Sequence, residues 1–166
     1  MIETIIHKGK VYPKFQSEGF AARYALPFAE QICKGVGYDI GCNRAEWSLP
    51  GSILVDPLLQ PQYDAYSLPP VQADYIFSSH CIEHLRNWVE ALDYWHTKLK
   101  EDGVLFLYLP NMNFQHYWKP WNNRKHIHFL TPEIINAYLE ESGLWKNIFI
   151  TDCDLNYSFY ALAEKK

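Results

Sequence analysis

Apolar residues along the chain follow two spacings that alternate. Val36 to Ile40, Ile53 to Val55, Ala73 to Ser79 and Val104 to Leu109 are short, mostly apolar runs of strand length, bounded by glycine, proline and acidic residues. Between them, apolar positions recur every three or four residues. Phe20, Tyr24, Phe28 and Ile32 predict a helix capped by Ser17, kinked or restarted at Pro27 and ended by Lys34-Gly35. Trp88, Leu92, Trp95 and Leu99 predict a second helix over 87–100, closed by Asp102-Gly103, and Ile134, Ile135, Tyr138 and Leu139 a third that starts at Thr131-Pro132 and stops before Gly143. Tyr63-Asp64-Ala65 reads as one more short strand. The tail alternates through Ile148-Phe149-Ile150 and again through Tyr157 to Ala163, which predicts a terminal antiparallel hairpin. Ile5 to Phe15, with Pro13 inside it, has no clear period.

Strands alternating with helices predict an α/β fold of three layers, a mostly parallel seven-stranded sheet with the antiparallel hairpin at its C-terminal end. At 166 residues, without repeats or a linker, the chain reads as a single domain over 1–166, with an arm and helix over 1–35. The stretch 111–130 carries five aromatic residues, several histidines and Lys119, Arg124 and Lys125 without a period, and reads as a lid or substrate loop.

Composition narrows the partners. A net charge of -4 argues against nucleic acid, whose phosphates call for a basic excess or a long basic stripe. The longest apolar run, Val104 to Leu109, is too short to span a membrane, and the N-terminus lacks a signal-peptide layout, so a cytoplasmic location is expected. Cys33, Cys42, Cys81 and Cys153 are widely spaced, with neither a C-x-x-C pair nor a disulfide framework, as for reduced thiols.

The chemistry gathers at Val36-Gly37-Tyr38-Asp39-Ile40-Gly41-Cys42-Asn43-Arg44-Ala45 and Ile53-Leu54-Val55-Asp56. An acid near the end of one buried strand, a glycine at its exit and an acid ending the next describe the ligand edge of a doubly wound sheet. Asp56 at such a strand end can accept both hydroxyl hydrogens of a ribose. A dinucleotide would want its pyrophosphate on a longer helix than the turn available around Ala45, Glu46 and Trp47, and Asn43 and Glu46 stand where further glycines of G-x-G-x-x-G belong. A nucleoside cofactor without phosphate is favoured over NAD.

The ordered set Asp39-Ile40-Gly41-Cys42, Val55-Asp56, Tyr63-Asp64-Ala65 with Leu68-Pro69, Asp74 to His80 with Glu83-His84-Leu85, Leu99 to Leu105 and Leu109-Pro110-Asn111 resembles a class I S-adenosylmethionine-dependent methyltransferase, of the compact branch that acts on small molecules or glycans. The resemblance runs from Val36 to the C-terminus and implies a Rossmann-like sandwich with S-adenosylmethionine as cofactor. It implies that Asp39, Gly41 and Cys42 border the methionine end of that cofactor, Asp56 the ribose, Asp64 and the Ala65 backbone the adenine, and Ser79 with His80 the methionine or the reacting methyl. The loop departs from the family's G-x-G-x-G by carrying Asn43 and Ala45.

Methyl transfer is an in-line displacement that asks mainly for geometry, and a hydroxyl acceptor also needs a base. His80, at a strand exit on the ligand edge, is the first candidate for catalysis, with His116, His126 and His128 as substitutes. Tyr117, Trp118, Trp121, Arg124, His126 and His128 are candidates for holding a sugar-bearing or anionic small-molecule acceptor, and the same aromatics could serve a homodimer interface. Ser78-Ser79-His80-Cys81 lacks the Pro-Pro-aromatic signature of base methylation, which disfavours DNA. His80-Cys81-Ile82-Glu83-His84 also satisfies H-x-x-E-H, a zinc-hydrolase pattern, but it sits at a strand exit rather than in a helix, so no metal is expected. Tyr94 and Lys98 match a dehydrogenase pair without the glycine loop such enzymes need. The competing class is a non-catalytic scaffold on a degenerate methyltransferase fold.

Overall fold

The computed structural model describes residues 3–118 and 125–166. The arm without a period forms its own antiparallel hairpin, β1 (Thr4–His7) and β2 (Lys10–Pro13), turning through Lys8 and Gly9 in the left-handed region. A single turn, α1 (Phe15–Glu18), ends at left-handed Gly19 and is followed by α2 (Ala22–Ile32). Ser17 therefore does not cap the long helix, and its hydroxyl donates to the Lys14 carbonyl at 2.7 Å.

The main sheet contains β3 (Gly37–Ile40), β4 (Ile53–Val55), β5 (Ala73–Ser79), β6 (Leu99–Pro110), β7 (Trp145–Ile150) and β8 (Ser158–Lys165), in the order β4-β3-β5-β6-β8-β7. The first four are parallel, and β8 and β7 close the edge antiparallel, as the tail's alternation predicts. The main sheet has six strands among the described residues, not seven. Asp64 accepts the Tyr66 N–H on its own side chain at 2.8 Å and bridges to Ser67, which curls Tyr63-Asp64-Ala65 into a turn, and Pro69-Pro70 then offer no donors to a ladder.

Alternate residues of each strand point to opposite faces and meet different helices. On one face Ile76, Leu105, Leu107 and Leu109 pack with α3 (Trp88–Lys98) and α4 (Pro132–Glu141) through Leu92, Trp95, Ile135 and Leu139. Asn87 caps α3 by accepting the Glu90 N–H, and Thr131 caps α4 ahead of Pro132. On the other face the bulk comes from the sheet itself, Tyr75, Phe77, Phe106 and Tyr108, so α2 approaches on its alanines. Ala25 and Ala29 are fully buried, whereas Tyr24 and Ile32 of the predicted stripe are exposed. The result is a three-layer α/β sandwich. No helix among the described residues is long and apolar enough to cross a membrane.

Because β3, β4 and β5 run parallel, Gly41, Asp56 and Ser79 all emerge at one end of the sheet.

Candidate functional site

That end of the sheet holds a cavity of about 460 Å³. From β3 comes Asp39, 1% exposed, whose carboxylate accepts the Leu49 N–H at 2.7 Å. Burial pushes its pKa up to about 7; the Leu49 hydrogen bond opposes the shift and the charge of Asp56 adds to it. At the end of β4, Asp56 accepts the Asn43 N–H on one oxygen and the Leu58 N–H on the other, each at 2.9 Å. Two N–H donors fix the carboxylate's plane, and each oxygen keeps a further lone pair for a ligand.

The loop between them is tight. Gly41 has φ +82°, and a Cβ there would stand 2.5 Å from the Cys81 sulfur. Asn43 has φ +63°, in the left-handed region that glycine enters freely and asparagine tolerates. Ala45–Trp47 is a single 3-10 turn that brings the Trp47 indole face to face with Phe20, ring centroids 5.1 Å apart, as an apolar wall of the cavity.

From β5 the chain delivers Ser79, whose buried hydroxyl has no hydrogen-bond partner among the described residues, and then His80 at φ +50°. The His80 imidazole packs against Tyr108 and Trp118, with Nε2 2.9 Å from the Ser158 hydroxyl. Burial, with His126 and His84 adding to it, lowers its pKa well below the usual histidine range, so the ring is neutral.

One turn later Glu83 is fully buried, and neither carboxylate oxygen has a hydrogen-bond partner among the described residues. Three imidazole nitrogens face its Oε1: His84 Nε2 at 3.5 Å, His126 Nε2 at 3.8 Å and His80 Nδ1 at 3.9 Å. Burial raises the Glu83 pKa to about 7 and lowers that of His126 to about 4. His126 comes from the stretch before α4: after the undescribed residues the chain returns with the Ile127 and His128 N–H groups donating to the Glu83 carbonyl.

Of the residues expected at the site, Asp39, Gly41, Cys42, Asp56, Ser79, His80 and His126 line this one cavity. The Cys42 thiol, pushed up to about 12 by burial and by the neighbouring acids, is a packing group rather than a nucleophile. Asp64 and Ala65 are not in its lining. One Asp64 oxygen accepts the Tyr66 N–H of its own turn, and Ala65 is buried with its carbonyl accepting the Trp95 indole N–H at 2.7 Å. Tyr117 stacks on Tyr157 with centroids 3.9 Å apart, Trp118 is buried against His80, and the His128 ring reaches the Leu85 carbonyl, so none of the three is in the lining. Trp121 and Arg124 lie outside the described residues. Sequence reasoning did not place Phe20 and Trp47 at the site; it named Asn43 only as a departure from glycine, Lys125 only among the cations of the 111–130 stretch, and Glu83-His84 only within the resemblance and H-x-x-E-H. An asparagine at a glycine's spacing is the signal that identifies Asn43.

A family model described as a methyltransferase domain matches residues 19–146. No curated protein sequence matches the chain. A SAM-dependent methyltransferase from Archaeoglobus fulgidus is similar in structure, with TM-score 0.61 and 20% identity over 90% of this chain and 94% of that one. The N-methyltransferase NodS from Bradyrhizobium japonicum WM9, solved with S-adenosylhomocysteine, gives 0.62 at 14% identity over 92% and 91% of the two chains. The plantazolicin methyltransferase BpumL, also solved with S-adenosylhomocysteine, gives 0.63 at 12% identity over 91% and 84%. The structural likeness is one of fold, and the family match extends it to the sequence over most of the chain. This chain therefore belongs to the methyltransferase-domain family.

Proposed function

We propose that the chain transfers a methyl group from S-adenosylmethionine to a small-molecule or glycan acceptor within this cavity. The observation that carries the reading is the convergence of the Asp56 carboxylate, the Asn43 turn and the unpartnered Ser79 hydroxyl on one cavity at the C-terminal ends of parallel strands. Its volume falls within the roughly 300–1,000 Å³ of small-molecule sites. When bound, the cofactor supplies an electrophilic methyl on a cationic sulfur.

The chain's residues supply the rest. Asp56 takes the ribose hydroxyls on its remaining lone pairs. Asp39 places negative charge by the cofactor's positive tail, and Ser79 donates to or accepts from that tail. Phe20 and Trp47 keep water from the reacting centre, where positioning supplies most of the acceleration. His80, neutral and tied to Ser158, braces the β5 exit against Trp118, so its ring acts as a positioning group. The acceptor enters on the side of His84, Lys125 and His126.

The test is transfer of labelled methyl from S-adenosylmethionine to a panel of hydroxyl- and amine-bearing small molecules and sugars. Label above blank in at least one acceptor, lost in Asp56→Ala, supports the reading. Cofactor binding with no transfer to any acceptor supports a non-catalytic binding protein instead.

A further inference from the structure

We infer that Glu83, His84 and His126 form a binding site for a first-row divalent transition-metal ion, Zn²⁺ by its donor set, on the acceptor side of the cavity. The argument begins with where the protons are. The His84 Nδ1 lies 2.8 Å from the Lys125 carbonyl, which can only accept, so Nδ1 carries the hydrogen and Nε2 presents a lone pair. The His126 Nδ1 faces the Met112 sulfur at 3.3 Å, again an acceptor, which leaves a lone pair on its buried Nε2. Both lone pairs point at the Glu83 carboxylate, itself fully buried and without a donor among the described residues. With Glu83 ionised, three acceptor atoms face one another in a largely buried corner; a shared proton satisfies one pair of them, and a cation between them satisfies all three.

The geometry suits a metal ion. The three donor atoms lie within 4.8 Å of one another, with Glu83 Oε1 3.5 Å from His84 Nε2 and 3.8 Å from His126 Nε2. Ligand atoms around a tetrahedral zinc stand about 3.4 Å apart, so the two distances from Glu83 close with shifts of a few tenths of an ångström. Two imidazoles and one carboxylate match zinc and its first-row neighbours better than magnesium. The outer shell is also in place, since the Lys125 carbonyl fixes the tautomer and ring orientation of His84. The ring of His84 is 34% exposed and lines the cavity, so the fourth position opens toward an incoming acceptor.

The role of the ion, though not the site, rests on the function proposed above. An acceptor hydroxyl bound at the open position would lose its proton to solvent more readily. Its oxygen then forms the O–CH₃ bond as the S–CH₃ bond breaks. Neutral S-adenosylhomocysteine and one proton leave, and the metal is unchanged.

The test uses tag-free protein stripped with a chelator and titrated calorimetrically with Zn²⁺, with elemental analysis for stoichiometry and circular dichroism for folding. The expected result is one zinc per chain, with affinity at least tenfold weaker in Glu83→Gln and in His84→Ala. If Glu83→Gln does not fold, His126→Ala takes its place. No zinc bound by folded protein, or undiminished affinity in the variants, overturns the site. The same stripped sample is titrated with S-adenosylhomocysteine: binding there without zinc binding removes the ion alone, and zinc binding without it removes the methyltransferase reading but keeps the site.

Discussion

The backbone N–H of Asn43 donates to the Asp56 carboxylate at 2.9 Å from a residue whose φ is +63°, so the turn after the first sheet strand is pinned to the end of its neighbour. Asparagine enters the left-handed region more readily than other residues with a side chain. Asn43→Gly should leave stability and cofactor affinity nearly unchanged. Asn43→Val should lose about 1–2 kcal/mol of stability, since a branched residue resists the left-handed region, and should weaken S-adenosylhomocysteine binding. Urea unfolding and calorimetry on the two variants check this.

Asp56 holds two backbone donors, Asn43 and Leu58. Asp56→Ala leaves both N–H groups without a protein partner, which predicts a loss of about 1–3 kcal/mol in urea unfolding. If the carboxylate also takes the ribose, cofactor affinity falls at least tenfold. Lost stability with affinity unchanged would mean that the acid holds only the loop.

The pKa of Asp39 rises from 3.8 to about 7 on folding, chiefly through burial. Between these values the unfolded chain has released the proton that the folded chain keeps, so stability falls as pH rises from about 4 to about 7. Asp39→Asn should remove this part of the slope. Glu83, also raised to about 7, retains its own part in the variant. Unfolding free energies of both proteins across that range give the difference.

Trp95 is fully buried, and its indole N–H donates to the Ala65 carbonyl at 2.7 Å. Trp95→Phe keeps an aromatic ring but leaves that carbonyl unpaired in the core. A lower urea midpoint with an unchanged slope is expected, corresponding to about 1–3 kcal/mol.

The sheet was legible because buried strands leave continuous apolar runs, and Asn87 and Thr131 mark helix starts by their chemistry. What was not legible depended on tertiary contact. Four large side chains on one face of the sheet turn the small Ala25 and Ala29 of α2 inward and leave Tyr24 and Ile32 of the expected stripe exposed, while Phe28 packs edge-on against Phe106. Asp64 had strand neighbours but its own side chain captured the Tyr66 N–H. At the site, Asp39, Asp56 and Ser79 were readable as strand-end residues. The Glu83 cluster was not, because its histidines come from two distant parts of the chain and only the fold turns H-x-x-E-H on a strand exit toward His126.

The central claim is that the Asp39, Asn43 and Asp56 edge holds the sulfur nucleoside. Isothermal titration of S-adenosylhomocysteine into purified protein, beside Asp56→Ala and with NAD as control, tests it most directly. Micromolar one-to-one binding by the native chain, at least tenfold weaker in the variant and absent for NAD, is the predicted result. No heat of binding from well-folded native protein would contradict the account and place a scaffold on a methyltransferase fold ahead of an enzyme.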